Sequence, residues 1–528
     1  MGGSVHIEVT LLALVVGSLA VTWVCRRLDV SAPLVLVVVG IAASFLPGVG
    51  AVAIDPNVVM LVVLVPLLYS AALESSYIGI KANKRAIGLL AVGLVAFTAL
   101  VVGLVAWWLV PEISLAAALV LGAVIAPPDA VSALAVGRRL GLPRRMMTVL
   151  SGESLINDAT ALTLFRVFIA AAGGAGVSLV EGSLMFLVAS VGGTAIGMGI
   201  GWAVHAVRSR LNDSPVESAL GLVTPFGVYM IAELLHASGV LAVVVAGLYL
   251  GYRSPDGGYA TRLQEQAVWQ ASDTILESVV FALIGLQLTT VIAAVGDVGP
   301  LLVTGLLILL ATVVARIVWV FPATYIPRLL FHSIRERDPY PPWQWPVVVS
   351  WSGMRGVVTL AAAFAIPPEV PHREEIVFLA FFVTVGTLLL HGLTLPTVIR
   401  RLGVHDDTTQ ADLLAEAQTQ YDAAQAAMGR LDELTRDADR TTQHMAEKLR
   451  RFTQISANAV WEQLGRPASE TGESPTASYR RLRREMLAEE RATFVERRDN
   501  GEIDDEIMRR VMRRLDFEEA MLARDEVG

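Results

Sequence analysis

The first 403 residues of this 528-residue chain consist largely of apolar stretches long enough to cross a lipid bilayer. A spanning helix needs about 20 mainly apolar residues, and only helices and closed barrels satisfy their backbone groups in lipid. The sequence therefore predicts an all-α polytopic membrane protein with about thirteen transmembrane helices. The predicted spans are 7–25, 31–46, 57–75, 86–110, 114–136, 147–172, 179–205, 217–235, 238–252, 273–295, 300–328, 344–366 and 375–399.

Charge divides the chain into two regions. Residues 1–403 carry 22 basic and 22 acidic side chains, whereas residues 404–528 carry 19 and 27, so the net charge of −8 lies in the second region. We predict a transmembrane domain over 1–403 and a helical, aqueous tail over 404–528. The tail's pattern predicts helices over 410–452, 479–498 and 504–524. Its net negative charge argues against nucleic acid as a partner.

The loops between the predicted spans alternate in their basic residues. Eighteen Lys and Arg lie in one set of loops, and one, Arg373, lies in the other set. Because cytoplasmic loops carry the excess of Lys and Arg, we expect the N-terminus outside the plasma membrane and the tail in the cytoplasm. The stretch 7–24 lacks a preceding basic region and a small-residue cleavage site, so we expect it to remain as the first span. Cys25 is the single cysteine, which excludes an intrachain disulfide.

Several ionisable side chains fall inside the predicted spans. Such groups are costly in a bilayer, so each is a candidate for function. The alternative for each is a structural ion pair or a polar contact that holds helices together. The set consists of Asp129, Glu153, Asp158, Arg166, Glu233, Glu277, Arg316 and Arg355.

The first motif, G-A-V-I-A-P-P-D-A, covers residues 122–130 of the fifth predicted span. Its two consecutive prolines remove two backbone donors and predict a break in the helix. Such a break is tolerated where the freed carbonyls line a cavity, and there they can bind a cation. Asp129 directly follows the break, and a simple proline kink does not account for a carboxylate at this point.

The second motif, S-G-E-S-L-I-N-D-A, covers residues 151–159 of the sixth span. Glu153 and Asn157 are four residues apart and share a helix face, and Ser154 and Asp158 form a similar pair on the adjacent stripe. Ser154 and Asp158 thus offer a hydroxyl and a carboxylate one turn apart. Hard cations prefer oxygen ligands of this kind.

The third motif, S-W-S-G-M-R-G-V, covers residues 350–357 of the twelfth span. Gly353 and Gly356 flank Arg355 and loosen the helix where a guanidinium group lies in the membrane. Glycines are common in membrane helices, so the charge between them is the stronger signal.

Together these motifs resemble the monovalent cation/proton antiporter family, which includes bacterial sodium/proton antiporters and animal sodium/proton exchangers. Residues 152–158 resemble the family's G-E-S-L-x-N-D signature, and residues 353–356 resemble its G-x-R-G. Tyr229-Met-Ile-Ala-Glu233, followed by Ser238-Gly239, resembles its Y-x-x-A-E…S-G stretch. The resemblance covers essentially all of residues 1–403, including the number and order of the spans.

The resemblance implies an inverted-repeat antiporter fold with a dimer domain, a mobile six-helix core and a homodimeric assembly. In the core, the fifth and twelfth spans are unwound and cross near the membrane midplane. Asp158 would bind sodium or protons, and Ser154 would add a hydroxyl ligand. Asp129 would line the site, and Pro128 would offer its carbonyl.

The resemblance also implies supporting roles around the site. Glu153 would pair with Arg316 of the eleventh span and be oriented by Asn157. Arg355 would offset the negative helix ends and carbonyls at the crossing.

The chain departs from the family's pattern at two points. It has Pro128-Asp129-Ala130 where the family often has T-D-P, so a threonine hydroxyl is lost. Many relatives also carry an acid directly after the third span's P-x-L-[FY] element, where this chain has Ser70. Glu74 lies one turn further along the same face and is the candidate replacement.

We therefore expect secondary active antiport of sodium or lithium against protons, without ATP, a redox cofactor or enzymatic chemistry. Potassium/proton exchange is the alternative within transport, and a membrane sensor that signals through the tail is the alternative from another class. A membrane enzyme is less favoured, because the spans show no nucleophile–base pair and no metal-ligand spacing. Relatives that move net charge resemble an Asp-Asp pair where this chain has Asn157-Asp158, so we expect electroneutral exchange.

Overall fold

The computed structural model of the chain describes residues 2–46, 58–129, 131–172, 179–211, 213–296, 298–405, 409–436, 439–464, 475–500 and 505–524. Within these ranges the backbone forms helices and connecting turns, with no strand. The chain divides into two compact units, Met1–Asp406 and Asp407–Gly528.

Helices of the first unit are labelled in chain order. They are α1 (Gly2–Arg27), α2 (Ala32–Ser44), α3 (Val59–Glu74), α4 (Lys84–Leu109), α5 (Leu115–Ile125), α6 (Val131–Arg139), α7 (Arg144–Ala172), α8 (Leu179–Arg208), α9 (Ser214–Leu234), α10 (Gly239–Tyr252), α11 (Tyr259–Val295), α12 (Gly299–Leu330), α13 (Gln344–Trp351), α14 (Val357–Phe364) and α15 (Arg373–Leu402). Short helices at Tyr77–Ala82 and His332–Arg337 lie in connections.

Seven helices of the described chain are long and apolar enough to cross a membrane: α4, α7, α8 from Glu181 onward, α9, α11, α12 and α15. Four shorter apolar helices, α2, α3, α5 and α10, accompany them. This confirms an all-helical membrane protein. The number of thirteen spans stays a prediction.

The fifth predicted span is interrupted. Helix α5 ends at Ile125, α6 begins at Val131, and residues 126–129 between them are not helical. The interruption contains the two prolines, which lack a backbone donor and clash with a continuing helix. The Asp129 side chain accepts a hydrogen bond from the Val131 backbone N–H at 2.9 Å and so helps to start α6.

The twelfth predicted span is interrupted in the same way. Helix α13 ends at Trp351, α14 begins at Val357, and residues 353–356 are not helical. Proline is absent here, and the helix ends where glycine, the residue with the highest conformational entropy, stands at positions 353 and 356.

The helices of the first unit pack in two groups. In one group α4 packs on α5 and α12, and α7 and α15 complete the contacts. In the other group α2 packs along α11, and α10 packs against α3, α8 and α9. The contact between α2 and α11 needs small residues, because a Cβ at Gly285 would lie 2.2 Å from the Val37 carbonyl oxygen.

The second unit contains α16 (Thr409–Thr435), α17 (Arg440–Leu464), α18 (Pro475–Asp499) and α19 (Asp505–Arg524). The prediction of one helix over 410–452 was wrong, because α16 ends and α17 starts anew. Asp439 caps α17 by accepting a hydrogen bond from the Thr442 backbone N–H at 3.2 Å. Hydrogen bonds from the Thr442 side chain and backbone hold the pKa of Asp439 below its usual range. Much of the predicted polar interruption at 465–478 lies outside the described residues.

Candidate ion-binding site

The two interrupted spans are joined to each other by hydrogen bonds. The Asp129 backbone N–H donates to the Met354 carbonyl at 2.7 Å. In the other direction, Arg355 Nε donates to the Ile125 carbonyl at 3.0 Å. Backbone groups that leave a helix in the membrane need partners, and here each break supplies partners to the other.

Gly356 allows the Asp129 side chain to approach the second break closely. A Cβ at position 356 would lie 1.8 Å from Asp129 Oδ2, so any larger residue would displace this carboxylate. The glycine of the third motif therefore shapes the surroundings of the acid in the first motif.

Arg355 is buried between the two breaks, with 1% of its surface exposed. Its backbone N–H donates to Thr387 Oγ1 at 3.1 Å, and its guanidinium group donates to the carbonyls of Ile125 and Gly353. A positive charge thus lies against the carbonyl end of α5, where a helix terminus carries partial negative charge.

Asp158 lies on α7 with 6% of its surface exposed and close enough to Asp129 for the two charges to interact. Within the described part of the chain, no group donates a hydrogen bond to its carboxylate. Ser154 lies one turn earlier on the same helix and is half-buried. An ionised carboxylate buried without donors is very costly, so Asp158 favours a proton or a bound cation.

Asn157 holds the first break in place. Its side-chain amide donates to the Pro128 carbonyl at 2.6 Å, and its Oδ1 is buried without a partner among the described residues. The expected orienting contact from Asn157 to Glu153 is therefore replaced by a contact to the break, because the amide points towards α5. The Pro128 carbonyl, expected as an ion ligand, already accepts this amide.

Glu153 and Arg316 form a buried, two-pronged ion pair. Arg316 Nη1 donates to Glu153 Oε1 at 2.6 Å, and Nη2 donates to Oε2 at 3.0 Å. Arg316 also donates to the Val349 carbonyl from Nε at 3.1 Å and from Nη2 at 3.0 Å. The pair thus connects α7 and α12 to the helix that precedes the second break.

The carboxylate beside Ser70 comes from another helix than expected. Ser70 is buried and donates to Asp273 Oδ2 of α11 at 2.6 Å, whereas Glu74, the candidate replacement, is exposed. Asp273 Oδ1 is buried without a hydrogen-bond partner in the described chain. The charge of Glu74 acts on Asp273, so the two acids are neighbours.

Glu277 lies one turn after Asp273 on α11 and is half-buried. The charges of Asp273, Asp129, Arg26 and Arg138 all act on it. The sequence singled out Glu277 as an acid within a span but assigned it no role, and it missed Asp273 altogether. The four-residue spacing of the two acids was the available signal, since it places both on one face of α11.

Arg166 and Glu233 form a further ion pair at 2.7 Å between α7 and α9. Glu233 also accepts a hydrogen bond from the Gly239 backbone N–H at 3.2 Å. This contact connects the two ends of the Y-x-x-A-E…S-G stretch. In this ion pair the two charges neutralise each other, and neither side chain contributes to the hydrogen bonds between the two breaks that are described above.

A bundle of membrane helices with two broken helices and a buried acid between them is an arrangement typical of secondary transporters. The family model of the transmembrane sodium/hydrogen exchangers matches residues 11–401, and the chain belongs to this family. The resemblance found in the motifs is thereby confirmed.

Similar proteins cover much of the chain. A protein of Mycobacterium tuberculosis, named an uncharacterised Na+/H+ exchanger, is 34% identical over 97% of this chain and 96% of its own length. A Na+/H+ antiporter of Aphanothece halophytica is 32% identical over 76% of this chain and 75% of its own length. A sodium proton antiporter from Methanocaldococcus jannaschii, solved at pH 8, matches with a TM-score of 0.60 and 19% identity over 76% of this chain and 98% of that chain. The last match shows a shared fold.

Proposed function

We propose that the chain is a secondary active sodium/proton antiporter of the plasma membrane, which moves sodium outward and protons inward without ATP or a redox cofactor. The observation that carries this proposal is the buried Asp158 carboxylate, which has no hydrogen-bond donor among the described residues. Such a group binds a cation or a proton, and each excludes the other. Membership of the sodium/hydrogen exchanger family supports the choice of ions.

In the proposed mechanism, ionised Asp158 binds sodium together with the Ser154 hydroxyl and, from the first break, Asp129. Oxygen ligands of this kind suit a hard cation. A proton that reaches Asp158 removes its charge and releases the sodium ion. Only a core that carries sodium or a proton then exposes the site to the other side, because an empty charged site is too costly to move through the membrane.

Three acids, Glu74, Asp273 and Glu277, would guide cations to the site. Each lies within electrostatic range of the next, and Glu277 lies within range of Asp129. Glu277 also lies within range of Arg26 and Arg138, which belong to loops that the loop charges predict to be cytoplasmic. A path lined with one sign of charge raises the local concentration of the opposite ion.

The two packing groups of helices support a division into a scaffold and a moving core. Helices α4–α7 and α12–α15 would form the six-span core with the crossed breaks, and α1–α3 with α8–α11 would form the dimer domain. This assignment gives thirteen spans over 1–403, an outside N-terminus and a cytoplasmic tail over 404–528. The fold shared with the archaeal antiporter supports it.

Transport by purified full-length protein in proteoliposomes tests the proposal. A pH-sensitive dye inside the vesicles would report proton movement on addition of sodium, lithium or potassium. We expect sodium-driven exchange that Asp158→Asn abolishes, because an amide keeps the volume but carries no titratable charge. Asp256→Asn, at an exposed acid paired with Arg253, is the matched control and should keep the wild-type rate.

Substantial sodium/proton exchange by the Asp158→Asn variant would contradict the assignment of the site. Faster exchange with potassium than with sodium would instead assign the chain to potassium/proton exchange. Absence of cation-driven proton movement in folded protein would favour the sensor alternative.

A further inference from the structure

A cavity of about 80 Å³ lies at the predicted cytoplasmic end of the core. Arg85 of α4, Arg145 of α7 and Arg328 of α12 line it, and we call it the arginine cavity. Most of its remaining wall is apolar and includes Ala323 and Trp345. It is separate from the ion site between the two breaks.

The three arginines share one carboxylate. Asp338 accepts hydrogen bonds from Arg85 Nη2, from Arg145 Nη2 at 2.5 Å and from Arg328 Nη2 at 2.7 Å. Partial burial opposes ionisation of this acid, but the hydrogen bonds from Arg145 and Arg328 outweigh it and hold the pKa of Asp338 below its usual range. Asp338 is therefore ionised at neutral pH, and it neutralises one of three positive charges.

Arg85 also has a donor without an acceptor. Its Nη1 is buried and makes no hydrogen bond within the described part of the chain. A buried donor of a charged group that lacks an acceptor is costly, and a second anion beside Asp338 would supply one. Arginine is the side chain best suited to phosphate, because its planar fork matches phosphate oxygens.

We propose that the arginine cavity binds the phosphate group of an anionic ligand, and that its apolar wall selects an acidic phospholipid. The phosphate would contact Arg85 and Arg145, and the apolar part of the lipid would pack near Ala323 and Trp345. Basic pockets between membrane helices on the cytoplasmic side are suited to such headgroups. A soluble phosphate shares the headgroup chemistry but gains nothing from the apolar wall.

The cavity also adjoins the support of the ion site. Val349 lines the cavity, and its carbonyl accepts the hydrogen bonds of Arg316. Val320, one turn after Arg316 on α12, lines the cavity as well. A bound lipid would therefore pack against α13, the helix that leads into the second break, and would stabilise the core.

Thermal unfolding of delipidated full-length protein in detergent tests the proposal without measuring transport. The additions are dioleoylphosphatidylglycerol, dioleoylphosphatidylcholine as the neutral-headgroup control, and inorganic phosphate. A ligand that binds the folded state raises the Tm in proportion to its affinity and concentration. We expect the phosphatidylglycerol titration to raise the Tm and the other two additions to leave it nearly unchanged.

Variants assign the effect to the cavity. Arg85→Gln should weaken the phosphatidylglycerol response by about tenfold or more in apparent Kd, since it removes a charge-assisted hydrogen bond. Ala323→Phe fills the apolar wall, keeps all three arginines, and should likewise weaken the response by about tenfold or more. Arg139→Gln, at an arginine paired with Asp29 outside the cavity, is the matched control and should respond like the wild type.

An equal response to phosphatidylcholine, or an undiminished response in both Arg85→Gln and Ala323→Phe, would overturn the proposal. A Tm increase with inorganic phosphate alone, lost in Arg85→Gln and kept in Ala323→Phe, would assign the cavity to a soluble phosphate and overturn the lipid. If Arg85→Gln fails to fold, Ala323→Phe still decides between these outcomes.

Discussion

Glu153 and Asp158 lie on the same helix, are both buried, and have opposite surroundings. Arg316 engages both oxygens of Glu153, whereas no described group donates to Asp158. A two-pronged arginine partner satisfies both oxygens of a carboxylate, whereas a buried carboxylate without donors favours a proton or a bound cation. The contrast supports the proposed structural role of Glu153 and the proposed transport role of Asp158.

The Glu153–Arg316 pair should behave as a unit in stability measurements. Glu153→Ala or Arg316→Ala leaves one buried charge unpaired, and we expect each to lower the free energy of unfolding by about 3–5 kcal/mol. The double variant removes both charges and should recover part of this loss. Thermal unfolding of the four proteins measures the coupling, and strictly additive losses would show that the two side chains act independently.

Asp273 should affect the supply of sodium more than the exchange step. Its carboxylate accepts a hydrogen bond from Ser70, and its charge acts on Glu277. We expect Asp273→Asn to raise the KM for sodium by roughly a few-fold, as one attracting charge is lost, with little change in maximal rate. The control is Asp256→Asn. A loss of maximal rate at unchanged KM would instead place Asp273 in the exchange step.

The sequence singles out the acids of the signature, but it does not identify Asp273 as the partner of Ser70. Glu153, Asp158 and Arg355 are visible because a charge inside an apolar span is rare in itself. The contact between Ser70 and Asp273 joins residues that are 203 positions apart, so no local periodicity encodes it. It depends on how α3 and α11 pack, and Asp273 lies at the very edge of its predicted span.

At the scale of helices, local sequence predicts where a helix breaks but not what the broken segment contacts. Consecutive prolines predict the end of α5, because proline removes donors that a helix needs. The hydrogen bonds between the breaks, from Asp129 to Met354 and from Arg355 to Ile125, were not predictable from either segment alone. In the tail the predicted long helix failed because Asp439, a good capping residue, starts a new helix.

Asn157 should stabilise the first break. Asn157→Ala leaves the Pro128 carbonyl without its buried donor, so we expect a loss of about 1–3 kcal/mol in the free energy of unfolding. Thr160→Ala is the matched control on α7, because the Thr160 hydroxyl donates to the Ile156 carbonyl of its own helix, and its loss should cost less. Equal Tm values for Asn157→Ala and the wild type would show that the break does not depend on this amide.

At the scale of the whole molecule, the number of titratable groups at the site determines the charge moved in one cycle. Asn157 occupies the position beside Asp158 and carries an amide, which cannot take up a proton. Glu153 is held by Arg316, and Asp129 caps α6 through the Val131 amide. In the proposed mechanism, Asp158 is therefore the group that would alternate between one proton and one sodium ion.

We therefore expect electroneutral exchange of one proton for one sodium ion. Moving one elementary charge across 100 mV changes the energy by about 2.3 kcal/mol, so a cycle that moved net charge would respond strongly to voltage. In proteoliposomes with a potassium–valinomycin potential, the exchange rate and the final sodium gradient should equal those measured without a potential. A sodium gradient driven by the potential at equal pH would show that net charge moves. It would identify a second proton carrier at the site, and Glu153→Gln and Asp129→Asn would then separate the two remaining acids by which variant removes the voltage dependence.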